Sequence, residues 1–187
     1  MAIKASALLD DAGTAVVRWS ASGDRGEAAT GVHEVIIESP SHVASLSQVT
    51  GEEAWRTFIA YRDRLLAMSE NPQLAYGLVF KNARADGGAS LEHTHSQLIA
   101  TAAIPTDIQF ELANAGQHRM LHGSCAFCDL IGGELDGERF VTATEHFVAF
   151  CPFQSRFPYE TWVLPKDHSE SFESSSDSLL GELASLM

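Results

Sequence analysis

The feature that most restricts how this chain can fold is an internal echo. Glu34-Val35-Ile36-Ile37-Glu38-Ser39-Pro40-Ser41-His42 and Glu160-Thr161-Trp162-Val163-Leu164-Pro165-Lys166-Asp167-His168 follow one plan. Each runs from an acid through an apolar strand to a proline, with a histidine two or three residues beyond. Read as a duplication, the echo gives two related α+β units in a chain of 187 residues, a length that suits one large domain or two small ones.

The rest of the chain fits around that plan. Residues 1–30, rich in Ala, Ser, Gly and Asp, read as a weakly structured segment. The first unit is expected over 31–120 and the second, incomplete, over 121–187. Val35-Ile36-Ile37 is a β-branched strand ended by Ser39-Pro40. Thr50-Gly51-Glu52-Glu53 has the form of a capping box, and Trp55, Phe58, Ile59, Leu65 and Leu66 recur at helical spacing. A helix is therefore predicted to about Ser69, stopping before Asn71-Pro72. Leu74 to Lys81 and His93 to Ala100 read as strands, and 101–124 as a connector with a short helix. Phe147 to Cys151 and Thr161 to Leu164 read as further strands, and a helix starts at Asp177.

Charge narrows the function. With 12 basic against 25 acidic residues the net charge is −13, which argues against a nucleic-acid partner because neutralising phosphates needs a basic face. A small phosphorylated ligand, which needs only a few local donors, is not excluded. No apolar run approaches the roughly 18 residues of a membrane span. The start, MAIKASALLDDAG, lacks the basic residues and apolar stretch of a secretory signal, so a cytoplasmic location without membrane attachment is expected.

The sharpest chemistry lies between Phe80 and Gln97. In a strand, His93, His95 and Gln97 line one face at intervals of about 6.5–7 Å. By themselves they could be a solvent-facing polar stripe, or histidines satisfied by backbone carbonyls. The preceding loop points elsewhere. Gly87-Gly88 allows φ > 0 and turns amide N–H groups toward an anion, while Asn82 and Ser90 add side-chain donors. Neutral imidazole is a good nucleophile at pH 7, so a phosphate cradle beside it points to covalent nucleotidyl transfer.

Cys125-Ala126-Phe127-Cys128 has the spacing that lets two thiolates hold one tetrahedral ion, and His146 stands before a strand where it could supply a third ligand. His118 and His122 are less usual extras. A redox pair, or two unpaired thiols, are the competing readings, although no thioredoxin-like βαβ context surrounds the motif.

These segments resemble the galactose-1-phosphate uridylyltransferase family of the histidine-triad superfamily. Asn82 to Gln97 is similar to its active-site signature: an asparagine, a glycine-rich loop with Gly-x-Ser, then His-x-His-x-Gln. Phe157 to His168 resembles the strand of its second repeat, and Gly31-Val32-His33-Glu34-Val35 with Ser39-Pro40-Ser41-His42 its first, so the likeness runs from Gly31 to Phe172. His-Thr-His, Asp167, Ser169 and the Cys-x-x-Cys lean toward the ADP-glucose phosphorylase type.

The resemblance implies a histidine-triad-like antiparallel sheet with helices, the first repeat nearly complete and the second truncated. It makes His95 the nucleophile of a nucleotidyl-histidine intermediate. Gln97 stands where the hydrolase branch has a third histidine, so transfer is expected rather than hydrolysis. Asn82, Gly88 and Ser90 would contact the nucleotide. UDP- or ADP-glucose, with a sugar 1-phosphate or phosphate, would be the substrates, and a homodimer the assembly. Zinc would be structural: Cys125, Cys128 and His146 at one site, completed by a histidine further downstream, and His42 with His93 at another. No cysteine precedes Cys125, so this second site keeps two of its four ligands. Arg84 stands where the family commonly has glycine. On these departures the chain reads as a partial one, with a zinc-stabilised module lacking catalysis as the alternative to an enzyme.

Overall fold

A computed structural model describes residues 28–89 and 91–187 together with strand segments at 6–9 and 15–18; side chains are described from Gly31 onward, except Ser90. The architecture is α+β, in two units, Met1–Pro105 and Thr106–Met187.

The first unit is built on an antiparallel sheet of β1 (Ser6–Leu9), β2 (Ala15–Arg18), β3 (Ala28–Ile37), β4 (Tyr76–Phe80) and β5 (His95–Thr101), in the order β1-β2-β3-β5-β4. Composition suggests weak structure for 1–30, yet β1, β2 and the start of β3 fall there. Short apolar runs too brief to register alone pair with each other, Leu8 opposite Val16, and then with β3, Val16 opposite Thr30.

One helix covers one face of this sheet. α1 (Gly51–Ser69) begins at the capping box read from the sequence: the Thr50 side chain accepts from the Glu53 N–H, and the Glu53 carboxylate accepts from the Thr50 N–H at 2.7 Å. Its Ala54, Phe58, Tyr61, Leu65 and Met68 are buried, as are Leu98 and Ala100 of β5. Each large apolar side chain so buried contributes about 1.5–3 kcal/mol relative to exposure. At Gly31 the strands come so close that a β-carbon would lie 2.6 Å from the Ala100 carbonyl oxygen.

The second unit contains α2 (Thr106–His122), α3 (Ala126–Glu134), an antiparallel sheet of β6 (Phe140–Ala143), β7 (Phe147–Phe150) and β8 (Trp162–Pro165), and α4 (Asp177–Leu186). Its core gathers Ile131, Val148 and Phe150, with Leu130, Ala143, Trp162 and Leu164 packed against them. The boundary falls at Pro105 rather than after residue 120, because 106–122 is one 17-residue helix and not a connector with a short one. α2 buries none of its side chains, so no apolar periodicity marks it in the sequence.

The echo persists beyond its strands. After His42 comes a 3-10 turn at Leu46–Gln48 and the N-cap Thr50; after His168 comes a turn at Phe172–Ser174 and the N-cap Ser176, in the same register. No helix among the described residues is long and apolar enough to cross a membrane.

Candidate functional site

Strand alternation decides what β5 presents. Ser96, Leu98 and Ala100 lie against α1 and are at most 1% exposed, so His95, Gln97 and Ile99 turn to the opposite face. His95 is 3% exposed, and its Nδ1 lies 2.9 Å from the His93 carbonyl oxygen. A carbonyl can only accept, so Nδ1 carries the proton and donates it. The lone pair is left on Nε2, the tautomer a nucleophilic imidazole requires.

A buried carboxylate holds the segment in place. Glu38, which follows β3, accepts from the Thr94 and Ser96 hydroxyls, from the Tyr61 hydroxyl at 3.2 Å, and from the Lys81 ammonium at 2.7 Å. Lys81 also donates to Thr94 Oγ1 at 2.8 Å and to the His95 carbonyl at 3.0 Å, so all three of its protons are engaged. Burial pushes the Glu38 carboxyl up, but Lys81 and the hydroxyl donors outweigh it and hold the group below the usual carboxylate range. Burial above all drives the Tyr61 phenol upward. Thr94 and Ser96 stand on either side of His95, but Glu38, Tyr61 and Lys81 lie far from that motif in the chain, so the sequence does not show the five as a group.

A cavity of about 540 Å³ opens beside His95, walled by His42, Lys81, Asn82, Arg84, His93 and His95 itself. That volume is in the range of small-ligand sites. The glycine loop forms its rim as a 3-10 turn, Ala85–Gly87, and Gly88 takes the positive φ of 83° while Gly87 lies within the turn. Gly88 approaches Asn82, whose Nδ2 would be 3.7 Å from an added β-carbon. Ser90 lies outside the described residues. Gln97 is held by His33, whose Nε2 lies 3.0 Å from the Gln97 Oε1, leaving the amide nitrogen as the donor end of that side chain.

The expected metal ligands separate into two places. His42 and His93 stack edge to face with ring centroids 5.3 Å apart, and His93 Nε2 lies 2.8 Å from the Ser39 carbonyl. In the second unit Cys125, Cys128 and His168 place their ligand atoms within 4.8 Å of one another, with Cys128 Sγ 3.4 Å from His168 Nδ1. Two thiolates and an imidazole are a donor set that suits zinc. The Cys125 thiol is pulled down chiefly by the backbone N–H of Cys128 at the start of α3, whereas burial pushes Cys128 up.

The expected third ligand, His146, is not gathered with the two cysteines and lies instead with Glu145 and Glu182. Its backbone N–H and its Nδ1 both bind the Glu182 carboxylate of α4, each at 2.7 Å. Glu182 raises the His146 pKa, and hydrogen bonds from Thr144 and His146 bring Glu182 down to about 2. His118 is likewise engaged, with Asp129 at 2.7 Å. The echo held the signal for His168: it aligns that residue with His42, and the shorter interval from Cys128 to His146 draws attention away from it.

The chain has known relatives in sequence and in fold. Residues 20–105 match the family model described as galactose-1-phosphate uridyl transferase, N-terminal domain. An ADP-glucose phosphorylase of Arabidopsis thaliana is 34% identical over 84% of this chain and 44% of its own length. A galactose-1-phosphate uridylyltransferase of Thermotoga maritima is 31% identical over 81% of this chain and 48% of its own. A solved ADP-glucose phosphorylase from Arabidopsis thaliana with bound ADP-glucose superposes with a TM-score of 0.78 at 31% identity, covering 83% of this chain and 49% of that one. The chain thus spans about half the length of the curated relatives it matches. In sequence and fold, the chain belongs to the galactose-1-phosphate uridylyltransferase family.

Proposed function

We propose that this chain carries the nucleophile of a nucleotidyltransferase that works on nucleotide sugars through a covalent nucleotidyl-histidine. One observation carries the reading: the His95 Nδ1–H is fixed on the His93 carbonyl, so Nε2 keeps the free lone pair that a nucleophilic imidazole uses. His95 Nε2 attacks the α-phosphorus, the bond to the bridging oxygen breaks, and sugar 1-phosphate leaves with those electrons. An acceptor phosphate oxygen then attacks the same phosphorus and releases His95. Donors for the developing charge are the Gln97 amide and Asn82, with Ser90 as a further contact. The N–H groups of Gly87, Gly88 and Ala89 are instead taken up in closing the loop's own turn, where Gly88 packs beside Asn82. Glutamine neither gives nor takes a proton at neutral pH, which favours an intermediate that waits for a phosphate acceptor over one that water consumes.

UDP-glucose and ADP-glucose are the candidate donors, with a hexose 1-phosphate or inorganic phosphate as acceptor. The Arabidopsis thaliana ADP-glucose phosphorylase, at 34% identity, and the His-Thr-His sequence favour ADP-glucose as the alternative to the uridylyl substrate. Zinc fits Cys125, Cys128 and His168, where it would tie α3 to the segment after β8 and act structurally. His42 and His93 offer a second, two-histidine position. A reducing cytoplasm suits three free cysteines, and a homodimer is the proposed assembly.

Incubation with UDP-[α-³²P]glucose and with its ADP counterpart tests the reading. Acid-labile label on the protein, lost in His95→Ala, is expected with one of the two. Absence of label with both would refute catalysis by this chain and leave a zinc-stabilised module.

A further inference from the structure

The backbone at Arg84 has φ 62° and ψ 163°, a region essentially reserved to glycine because a β-carbon crowds the chain there. The conformation is held by the turn it opens: the Arg84 carbonyl accepts from the Gly87 N–H at 3.1 Å and from the Ala89 N–H at 3.0 Å. Glycine would close the same turn without strain. A large side chain at such a position needs a reason beyond the turn.

The cavity supplies one. Arg84 lines it together with His95, in a chain whose net charge is −13. Of the other charged groups on that wall, Lys81 is neutralised by Glu38 and Glu92 is itself an anion. His42 and His93 contribute imidazoles facing each other. Among the described residues of that wall, a diphosphate beside His95 therefore meets no uncompensated permanent cation unless Arg84 provides it. Among the described residues no carboxylate pairs with the Arg84 guanidinium, and Arg84 is exposed.

We propose that Arg84 is a phosphate-binding residue of this cavity, its guanidinium donating to phosphoryl oxygens of the nucleoside diphosphate group held beside His95. The proposal rests on the nucleotide-sugar reading above. The planar fork of a guanidinium matches two phosphoryl oxygens at once, which an ammonium cannot do. The phosphate of the acceptor offers the same chemistry, so the test separates the two sources.

Three variants of the full chain distinguish charge from strain. Arg84→Met keeps the strained backbone and removes the charge, Arg84→Gly removes both, and Arg84→Lys keeps the charge without the fork. Dissociation constants for UDP, ADP and glucose 1-phosphate are measured by calorimetry, and melting is followed in parallel. The nucleoside diphosphate constant should rise about tenfold in Arg84→Met and Arg84→Gly, a change equivalent to about 1.4 kcal/mol, and less in Arg84→Lys. Arg84→Gly should nevertheless melt higher than the parent by a few degrees, since it sheds strain. Weakened binding confined to glucose 1-phosphate overturns the assignment to the nucleotide. Unchanged constants in Arg84→Met overturn phosphate binding by Arg84 altogether. A parent chain that binds nucleoside diphosphate yet never takes covalent label refutes nucleotidyl transfer while sustaining Arg84; one that binds none overturns both.

Discussion

Replacing Lys81 by methionine strands the Glu38 carboxylate in the interior of the first unit. The Glu38 side chain is 0% exposed and that of Lys81 22%. Breaking a buried ion pair by removing one partner destabilises by about 3–5 kcal/mol. Three hydroxyls, of Thr94, Ser96 and Tyr61, remain on the carboxylate, and Lys81 is partly wetted, so the lower end applies: about 3 kcal/mol at pH 7. For a unit of this size that lowers the melting midpoint by roughly 12–24 °C. Glu38→Gln in the same chain removes the stranded charge and should recover more than half of the loss. The pH dependence has a definite sign. In the parent, Glu38 sits below its ordinary value, so its stabilisation is complete above that value and fades as pH falls through the lower, folded one. In Lys81→Met the depressing partner is gone and burial dominates, so the penalty shrinks as acid protonates Glu38. Urea unfolding of the parent, the two single variants and the double variant between pH 4 and pH 8 measures this. A loss below about 1 kcal/mol at pH 7, or a penalty that grows on acidification, would refute the buried pair as the anchor of the His95 segment.

Three further outcomes follow from single contacts. Bound zinc should be lost in His168→Ala and Cys125→Ser and kept in His146→Ala, as metal analysis of purified chains will show; retention in His168→Ala would contradict the ligand set. Gly31→Ala should destabilise by about 1–3 kcal/mol in a denaturant titration, because its methyl meets the Ala100 carbonyl oxygen, a backbone atom that cannot turn aside. His33→Phe should slow covalent labelling about tenfold with little change in melting, since the hydrogen bond it removes orients Gln97 and supports no core.

What the sequence made legible was local. The capping box at Thr50, the strand containing His95 and Gln97, and the positive φ at Gly88 each follow from a few neighbouring residues, and the structure has them. α2 was not legible as a full helix because it buries none of its side chains, which leaves no apolar period to read. The Glu38 network was hidden for a different reason: Glu38, Tyr61, Lys81 and Thr94 meet only once β3, α1 and β5 are assembled. His168 shows the limit of spacing as a guide. Its nearness to Cys128 depends on how β8 returns the chain, which no count of intervening residues contains, although the register it shares with His42 did mark it.

The central claim concerns one bond, between His95 Nε2 and the α-phosphorus of a nucleotide. The chain, mixed with UDP-glucose or ADP-glucose and quenched under mildly basic conditions that preserve phosphoramidates, can be digested and mapped by tandem mass spectrometry. A nucleoside monophosphate on the peptide containing Phe80 to Thr101, assigned to His95 and removed on adding a sugar 1-phosphate or phosphate, is the predicted result. A nucleotide on any other residue, or an unmodified His95 in a chain that still exchanges sugar phosphate, would contradict it.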